Sequence, residues 1–135
     1  VNWTDHGVVA SLYDFKWAGS GWGGGFTNGA WALQCIERDG KWYMYCPLQG
    51  RGIGVLVADN PFGPFTDPIG KPLIGGQYDS IDPTVFVDTN DQAYLCWGNP
   101  RNWYVKLNKD MISYDTSIGD HGLVVQVRYV QLLCM

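Results

Sequence analysis

Three observations predict an all-β fold built from β-propeller blades for this 135-residue chain. Short runs rich in Val, Ile, Tyr, Phe and Trp alternate with clusters of Gly, Asp, Asn and Pro, which is the pattern of strands and turns. No long segment carries apolar residues at helical spacing. One hairpin unit recurs at an offset of 51 residues, with Trp31 through Cys46 lying over Asp82 through Trp97. A repeat of roughly 40–50 residues made of strands alone is the mark of a propeller blade. A meander sandwich also has regular strands, but nothing in it requires so long a period.

The elements follow in order. Residues 32–36 and 42–46 read as strands flanking Asp39-Gly40, a turn whose two positions both tolerate positive φ. Residues 53–58 make a third strand, and Pro61-Phe62-Gly63-Pro64 then breaks the chain. In the second unit, residues 84–87 and 93–97 flank Asn90-Asp91, and residues 103–107 follow as its third strand. Laid over one another, the units place Tyr43 on Tyr94 and Ile36 on Val87. The organisation expected is the end of a preceding blade and a connecting loop over 1–28, a blade over 29–78 and a second blade over 79–123. Residues 124–135 form a divergent final strand, whose Val-x-Val alternation suits a strand with its partner missing. Propellers have about 4–8 blades, and blades bury their faces on their neighbours. Two repeats therefore predict either a fragment or a chain that associates with itself as a homo-oligomer through open blade faces.

Composition narrows the function. The chain is 46% hydrophobic, 15% aromatic and 16% charged, with a formal charge of −4. No run of Lys and Arg is present, so nucleic acid is not an expected partner. No apolar run approaches the roughly 20 residues that span a bilayer, so no membrane association is expected. Residue 1 is Val, so the start of the protein is expected upstream. That leaves the compartment open, with secretion or the periplasm available to a parent protein. Cys35, Cys46, Cys96 and Cys134 form no C-x-x-C pair or zinc spacing and read as small core residues or a disulfide. His6 and His121 are isolated and read as surface residues. Asp88, Asn90 and Asp91 alternate as in a calcium loop, but the Gly and terminal Glu of that motif are absent. Neither a metal nor a cofactor is expected.

One carboxylate stands apart. Asp82 precedes Pro83 at the entrance of an inner strand, and Pro83 is expected to hold it extended. The first strand of a blade lines the central channel, so Asp82 is either a residue at the channel mouth or simply the turn that opens its blade. Trp31 opens the first of the two repeated units, a place where a ring can pack between blades. Trp22 and Phe26 flank Gly23-Gly24-Gly25 just before it, an aromatic loop able to lie over a site. No Lys-Ser/Thr follows, so this is no phosphate loop.

Ser80-Ile81-Asp82-Pro83-Thr84-Val85-Phe86-Val87-Asp88 with Ala93-Tyr94-Leu95-Cys96-Trp97-Gly98 resembles the third-blade motif of glycoside hydrolase family 43, the arabinofuranosidase/β-xylosidase group. Gly29-Ala30-Trp31-Ala32 is similar to the start of that family's second blade, and Gly40-Lys41-Trp42-Tyr43-Met44-Tyr45 to its middle strand. Residues 58–67 resemble the blade-closing loop, and Val105 through Met111 the segment after blade three. The resemblance covers residues 1 to about 123. It implies a five-bladed propeller and inverting hydrolysis of arabinosides or xylosides, with an arabinose- or xylose-containing oligosaccharide as ligand. Such chemistry uses a general acid and a general base on opposite sides of the sugar. The family takes its Asp base from blade one and its Glu acid from blade four, and a blade-three Asp orients the acid and raises its pKa as a like charge does. Asp82 matches this third position. Trp31, Trp22, Gly98 and Asn99 are the expected substrate-binding residues.

The chain departs from the pattern in two places. Leu33 stands where the family has Pro, and no Glu-Gly-Pro motif follows Met111. The single Glu is Glu37, expected at a solvated blade edge. The chain is therefore expected to hold one of the three catalytic carboxylates, and a non-catalytic carbohydrate-binding propeller using Trp22, Trp31 and Trp97 is the alternative.

Overall fold

A computed structural model describes residues 2–18, 29–48, 50–76 and 80–117 of the chain. Two antiparallel sheets make up the architecture. The first contains β1 (Gln34–Arg38), β2 (Lys41–Leu48), β3 (Gly52–Ala58) and β4 (Ile74–Gly75), paired in that order. The second contains β5 (Thr84–Val87), β6 (Ala93–Trp97) and β7 (Trp103–Lys106), also in sequence order. The final stretch, 124–135, lies outside the described residues, as do Cys134 and His121.

The two hairpin turns differ, and the difference corrects the superposition expected from sequence. Arg38 pairs with Lys41, so Asp39 (φ 53°) and Gly40 (φ 77°) alone reverse the first hairpin. The Glu37 carboxylate accepts the Gly40 N–H at 2.7 Å. In the second hairpin the Asp88 N–H donates to the Gln92 carbonyl at 2.9 Å, and Asp91 takes the left-handed conformation at φ 68°. Thr89, Asn90 and Asp91 thus form a three-residue turn, one longer than the first. Tyr43 still corresponds to Tyr94. On the first strand the register shifts by one, so Ile36, opposite Tyr43, corresponds to Phe86, opposite Tyr94, rather than to Val87.

The shift decides which side chains meet. A strand alternates its side chains between two faces. One face of the first sheet presents Tyr43, Tyr45, Ile53 and Val55, and these pack with Val85, Leu95, Trp97 and Val105 of the second sheet in one core. Tyr45 is fully buried and donates its hydroxyl to the Met111 carbonyl at 2.7 Å. Arg38 spans the same junction. Its guanidinium bonds the Asp91 carbonyl and carboxylate, each at 2.9 Å, and approaches the Met111 sulfur at 3.7 Å. The turn of the second sheet is thereby fastened to the end of β1.

The other face of the first sheet is covered as well, by residues from before it in the chain. Phe15 and Ala18, with Val9, Leu12 and Trp17, pack on Met44, Cys46, Leu56 and Ala58. Gly54 is needed where Phe15 arrives, since a Cβ there would lie 2.4 Å from the Phe15 ring. Two short 3-10 turns, Leu12–Asp14 and Lys16–Ala18, shape this cover. Ser11 caps the first of them, its hydroxyl accepting the Tyr13 N–H while Asp14 accepts the Ser11 N–H. Sequence periodicity does not reveal turns this short. Two open blade faces were expected, and one of them is closed. Among the described residues no sheet lies on the other face of the second sheet, which carries an aromatic row. Phe86 is 57% exposed and stacks on Tyr94 at 6.5 Å, and Tyr94 meets Tyr104 edge-on at 6.1 Å.

Cys35, Cys46 and Cys96 carry free thiols, but the core reading fits Cys46 best, since Cys96 is half-buried and Cys35 exposed. Burial pushes the Cys46 thiol up to about 12 and raises the Tyr45 phenol above its ordinary value. Each group is neutral when protonated, and the folded chain keeps a proton that the unfolded chain releases. Stability should therefore be complete below about pH 8 and fall as pH rises toward 12, as the unfolded thiol and phenol ionise at about 8.5 and 10. Urea midpoints measured from pH 7 to 11 should decline, and Cys46→Ala should flatten the decline at its lower end. A midpoint constant to pH 11 would show that neither group is shielded as described.

Candidate functional site

Both sheets point the same way. Near their starts, the Val85 N–H of β5 donates to the Gln34 side-chain oxygen on β1. Near their ends, Arg38, the last residue of β1, holds Asp91 after β5. Strands β1 and β5 therefore run side by side in parallel. Because each sheet is antiparallel, four features collect at one end: the entrance of β1, the β2–β3 turn, the entrance of β5 and the β6–β7 loop.

Asp82 stands at the β5 entrance with its side chain exposed, and the fully buried Pro83 follows it. Its backbone is left-handed, at φ 52°, not extended. Pro83 disfavours the right-handed helical region for its predecessor. The left-handed region remains open, and Asp tolerates it better than most residues. At the equivalent entrance of β1, Ala32 also adopts φ 51°. Alanine has no side-chain group to offset that conformation, which costs about 1–2 kcal/mol. Such strain gathers at functional sites. The matched kinks aim the chain at both inner-strand entrances, and Trp31 sits immediately before one of them, 58% exposed.

The β6–β7 loop completes the end. The Gly98 N–H donates to the Ile81 carbonyl at 2.8 Å, which ties the loop to the residue before Asp82. Asn99 is exposed and Gly98 half-buried. Ser80 is buried and donates its hydroxyl to the Gly75 carbonyl at 3.2 Å, which anchors the approach to Asp82 from β4. The structure thus brings Asp82, Trp31, Gly98 and Asn99 to one end of the molecule. Trp22, Phe26 and the three glycines between them lie outside the described residues.

One expectation needs adjustment, and one residue was overlooked. Trp97 is 4% exposed and belongs to the core between the sheets, so it cannot stack on a ligand. The second sheet's half-exposed Trp is Trp103, paired opposite Trp97 across the β6–β7 hairpin. Strand alternation could have assigned these two rings only once the register was known. Gln34 was also missed. A lone Gln in a strand gives no signal, yet its side chain joins the two inner strands. His6 is exposed, as expected, with its ring stacked on Phe62 at 4.0 Å. Among the described residues no group of three or more His, Cys, Asp or Glu side chains is placed to hold a metal ion.

The family model for glycosyl hydrolases family 43 matches residues 1–121. An arabinoxylan arabinofuranohydrolase of Bacillus subtilis is 37% identical over 145 residues, covering 84% of this chain and 27% of that protein. Among solved structures, an α-L-arabinofuranosidase from Clostridium thermocellum is 40% identical, with a TM-score of 0.58 over 64% of this chain and 32% of its own. A β-xylosidase/α-arabinofuranosidase from a compost microbial metagenome, solved with xylotriose, is 28% identical, with a TM-score of 0.65 over 82% of this chain and 41% of its own. The chain spans between 27% and 41% of the length of these three proteins.

The loop beside Asp82 depends on Gly98. Its φ is 105°, and a Cβ there would lie 2.1 Å from the Arg101 carbonyl oxygen. Gly98→Ala should cost more than about 1 kcal/mol in denaturant unfolding, because the conformation suits glycine and the obstacle is backbone. It should also shift the amide resonances of Ile81 and Asp82. Wild-type stability with unmoved resonances would mean the loop is not tied to the Asp82 segment as described.

Proposed function

Because the chain belongs to glycosyl hydrolase family 43, we propose that it carries blades two and three of a propeller enzyme that hydrolyses arabinosides or xylosides of plant cell-wall polysaccharide with inversion. Asp82 is the observation that supports this reading most directly. An exposed carboxylate on a kinked backbone, at the mouth end of an inner strand, is where a group that orients a general acid belongs. In this role the Asp82 carboxylate stands beside the acid, disfavours the acid's ionised form and so keeps it able to protonate the leaving oxygen. Trp31 offers a ring to the apolar face of a sugar. Asn99 and the Gly98 backbone supply polar contacts, and Trp22 is proposed as a further stacking residue. The ligand proposed is an arabinose- or xylose-containing oligosaccharide, consistent with the xylotriose in the metagenomic structure.

A second reading applies to the 135-residue polypeptide by itself. Its single Glu, Glu37, is exposed in the β1–β2 hairpin, at the end away from Asp82, and bonds the Gly40 N–H. It cannot serve as the acid beside Asp82. On its own the polypeptide then binds oligosaccharide without cleaving it.

Two outcomes test these proposals. The isolated chain should hydrolyse aryl arabinofuranosides and xylosides far below the roughly 1 per second of ordinary enzymes. If activity is restored by supplying the remaining blades, Asp82→Asn should lower it about ten-fold or more. An unchanged rate in that variant would remove Asp82 from the site.

The second outcome concerns association. The face carrying Phe86, Tyr94 and Tyr104 is rich in aromatic rings, and neither described sheet lies against it. We propose that two copies of the isolated chain cover it by packing this face on itself. Sedimentation at micromolar concentration should show a species near twice the 15.1 kDa chain mass, and Tyr94→Lys should shift it to the monomer. A sharp wild-type monomer that unfolds cooperatively would overturn the association.

A further inference from the structure

One short motif of the chain takes no part in the carbohydrate site. Asn2-Trp3-Thr4 sets an amide side chain two residues before a hydroxyl, the pattern of an N-glycosylation acceptor. No other asparagine of the chain has Ser or Thr at that spacing. The motif stands where a large group can be added. Asn2, Trp3 and Thr4 are all exposed, Trp3 to 92%. Residues 2–10 belong to no helix or strand, so no backbone ladder withholds the acceptor from an enzyme. The segment is nonetheless held in place. The His6 ring stacks on Phe62 at 4.0 Å, the Gly7 N–H donates to the Asp5 carboxylate at 2.8 Å, and Val9 packs on the first sheet. Phe62 lies in the loop beyond β3, at the end of that sheet away from Asp82. Asn2 is tethered to that anchor through Trp3, Thr4 and Asp5, so a bulky substituent on it starts from the end opposite Asp82.

We propose that Asn2 is the attachment point of an N-linked oligosaccharide, a reading independent of the one above. The donor is an oligosaccharide joined to a polyprenyl pyrophosphate, in a compartment that holds the matching transferase. The Asn2 amide nitrogen bonds to the anomeric carbon of the donor sugar. The bond from that carbon to the pyrophosphate oxygen breaks, the amide gives up one proton, and the lipid pyrophosphate leaves. The Thr4 hydroxyl is the group by which the transferase reads the acceptor. An attached glycan is bulky and solubilising, which suits a segment that holds Trp3 and Val8 about nine-tenths in water.

The test is to express the 135-residue chain behind a cleavable signal in a eukaryotic secretory host and to weigh the secreted and the retained pools by mass spectrometry. The wild type should exceed the chain mass of 15.1 kDa by one oligosaccharide, carried on the peptide that contains Asn2. An amidase that removes N-linked glycans should release it without denaturant and convert the Asn2 amide to a carboxylate. Asn2→Gln and Thr4→Val should each abolish the glycan, and Thr4→Ser should keep part of it. A wild-type chain free of glycan in both pools would overturn the proposal, as would a glycan that persists in Thr4→Val. Release only after denaturation would also overturn it, because the acceptor would not then stand exposed on the folded chain.

Discussion

The structure depends on one constraint: a sheet with two apolar faces cannot stand in water alone. The first sheet shows it most clearly. Its Tyr43, Tyr45, Ile53 and Val55 face is buried only because the second sheet stacks on it, and its Met44 and Leu56 face only because residues 9–18 fold across it. Hydrogen bonding within a sheet says nothing about which neighbour it takes. Side chains that cross the junction fix that choice, namely Tyr45 reaching the Met111 carbonyl and Arg38 holding Asp91. The Arg38 side chain is largely withdrawn from water, which is costly for a charge unless it is paired, and here its guanidinium has partners on the neighbouring turn.

That stacking is also what makes a site. Asp82 and Trp31 are about 50 residues apart in sequence and lead into different sheets. They share an end because the inner strands run parallel and touch through Gln34 and Val85. The left-handed backbone at Ala32 and Asp82 is the local consequence. Each inner strand must be entered from a segment crossing the end of its sheet, and a sharp reversal at one residue makes that entry. At Asp82 the side chain is left in solvent while Pro83 is buried behind it.

Much of this could be read from the chain, for reasons that differ by element. The hairpins announce themselves, because Asp39-Gly40 is a two-residue turn signal flanked by alternating apolar residues, and the repeat is visible because Tyr43 and Tyr94 hold equivalent places. The one-residue shift between Ile36 and Phe86 was hidden because an ungapped superposition cannot show a turn longer by one residue. Trp97 and Trp103 could not be sorted into core and surface without the register that places them opposite each other. Residues 9–18 lack strand alternation and helical period, and their role appears only through what they touch. The motif around Asp82 pointed to a family but not to a backbone conformation. An extended Asp was the expectation, because the rule for residues before proline excludes one region and leaves two others open.

The cover formed by residues 9–18 has a consequence for the order in which the protein is made. A ribosome produces those residues before the sheet they shield, so the Met44 and Leu56 face can close as soon as β3 emerges. The Tyr43 and Val55 face is covered by the second sheet instead. It waits for β5 through β7, about 50 residues later, which at roughly 5–20 residues per second is an interval of several seconds. Throughout that interval a nascent chain offers one finished, strongly apolar sheet face to its surroundings. In that interval the face is open to chaperones and to pairing with other nascent copies.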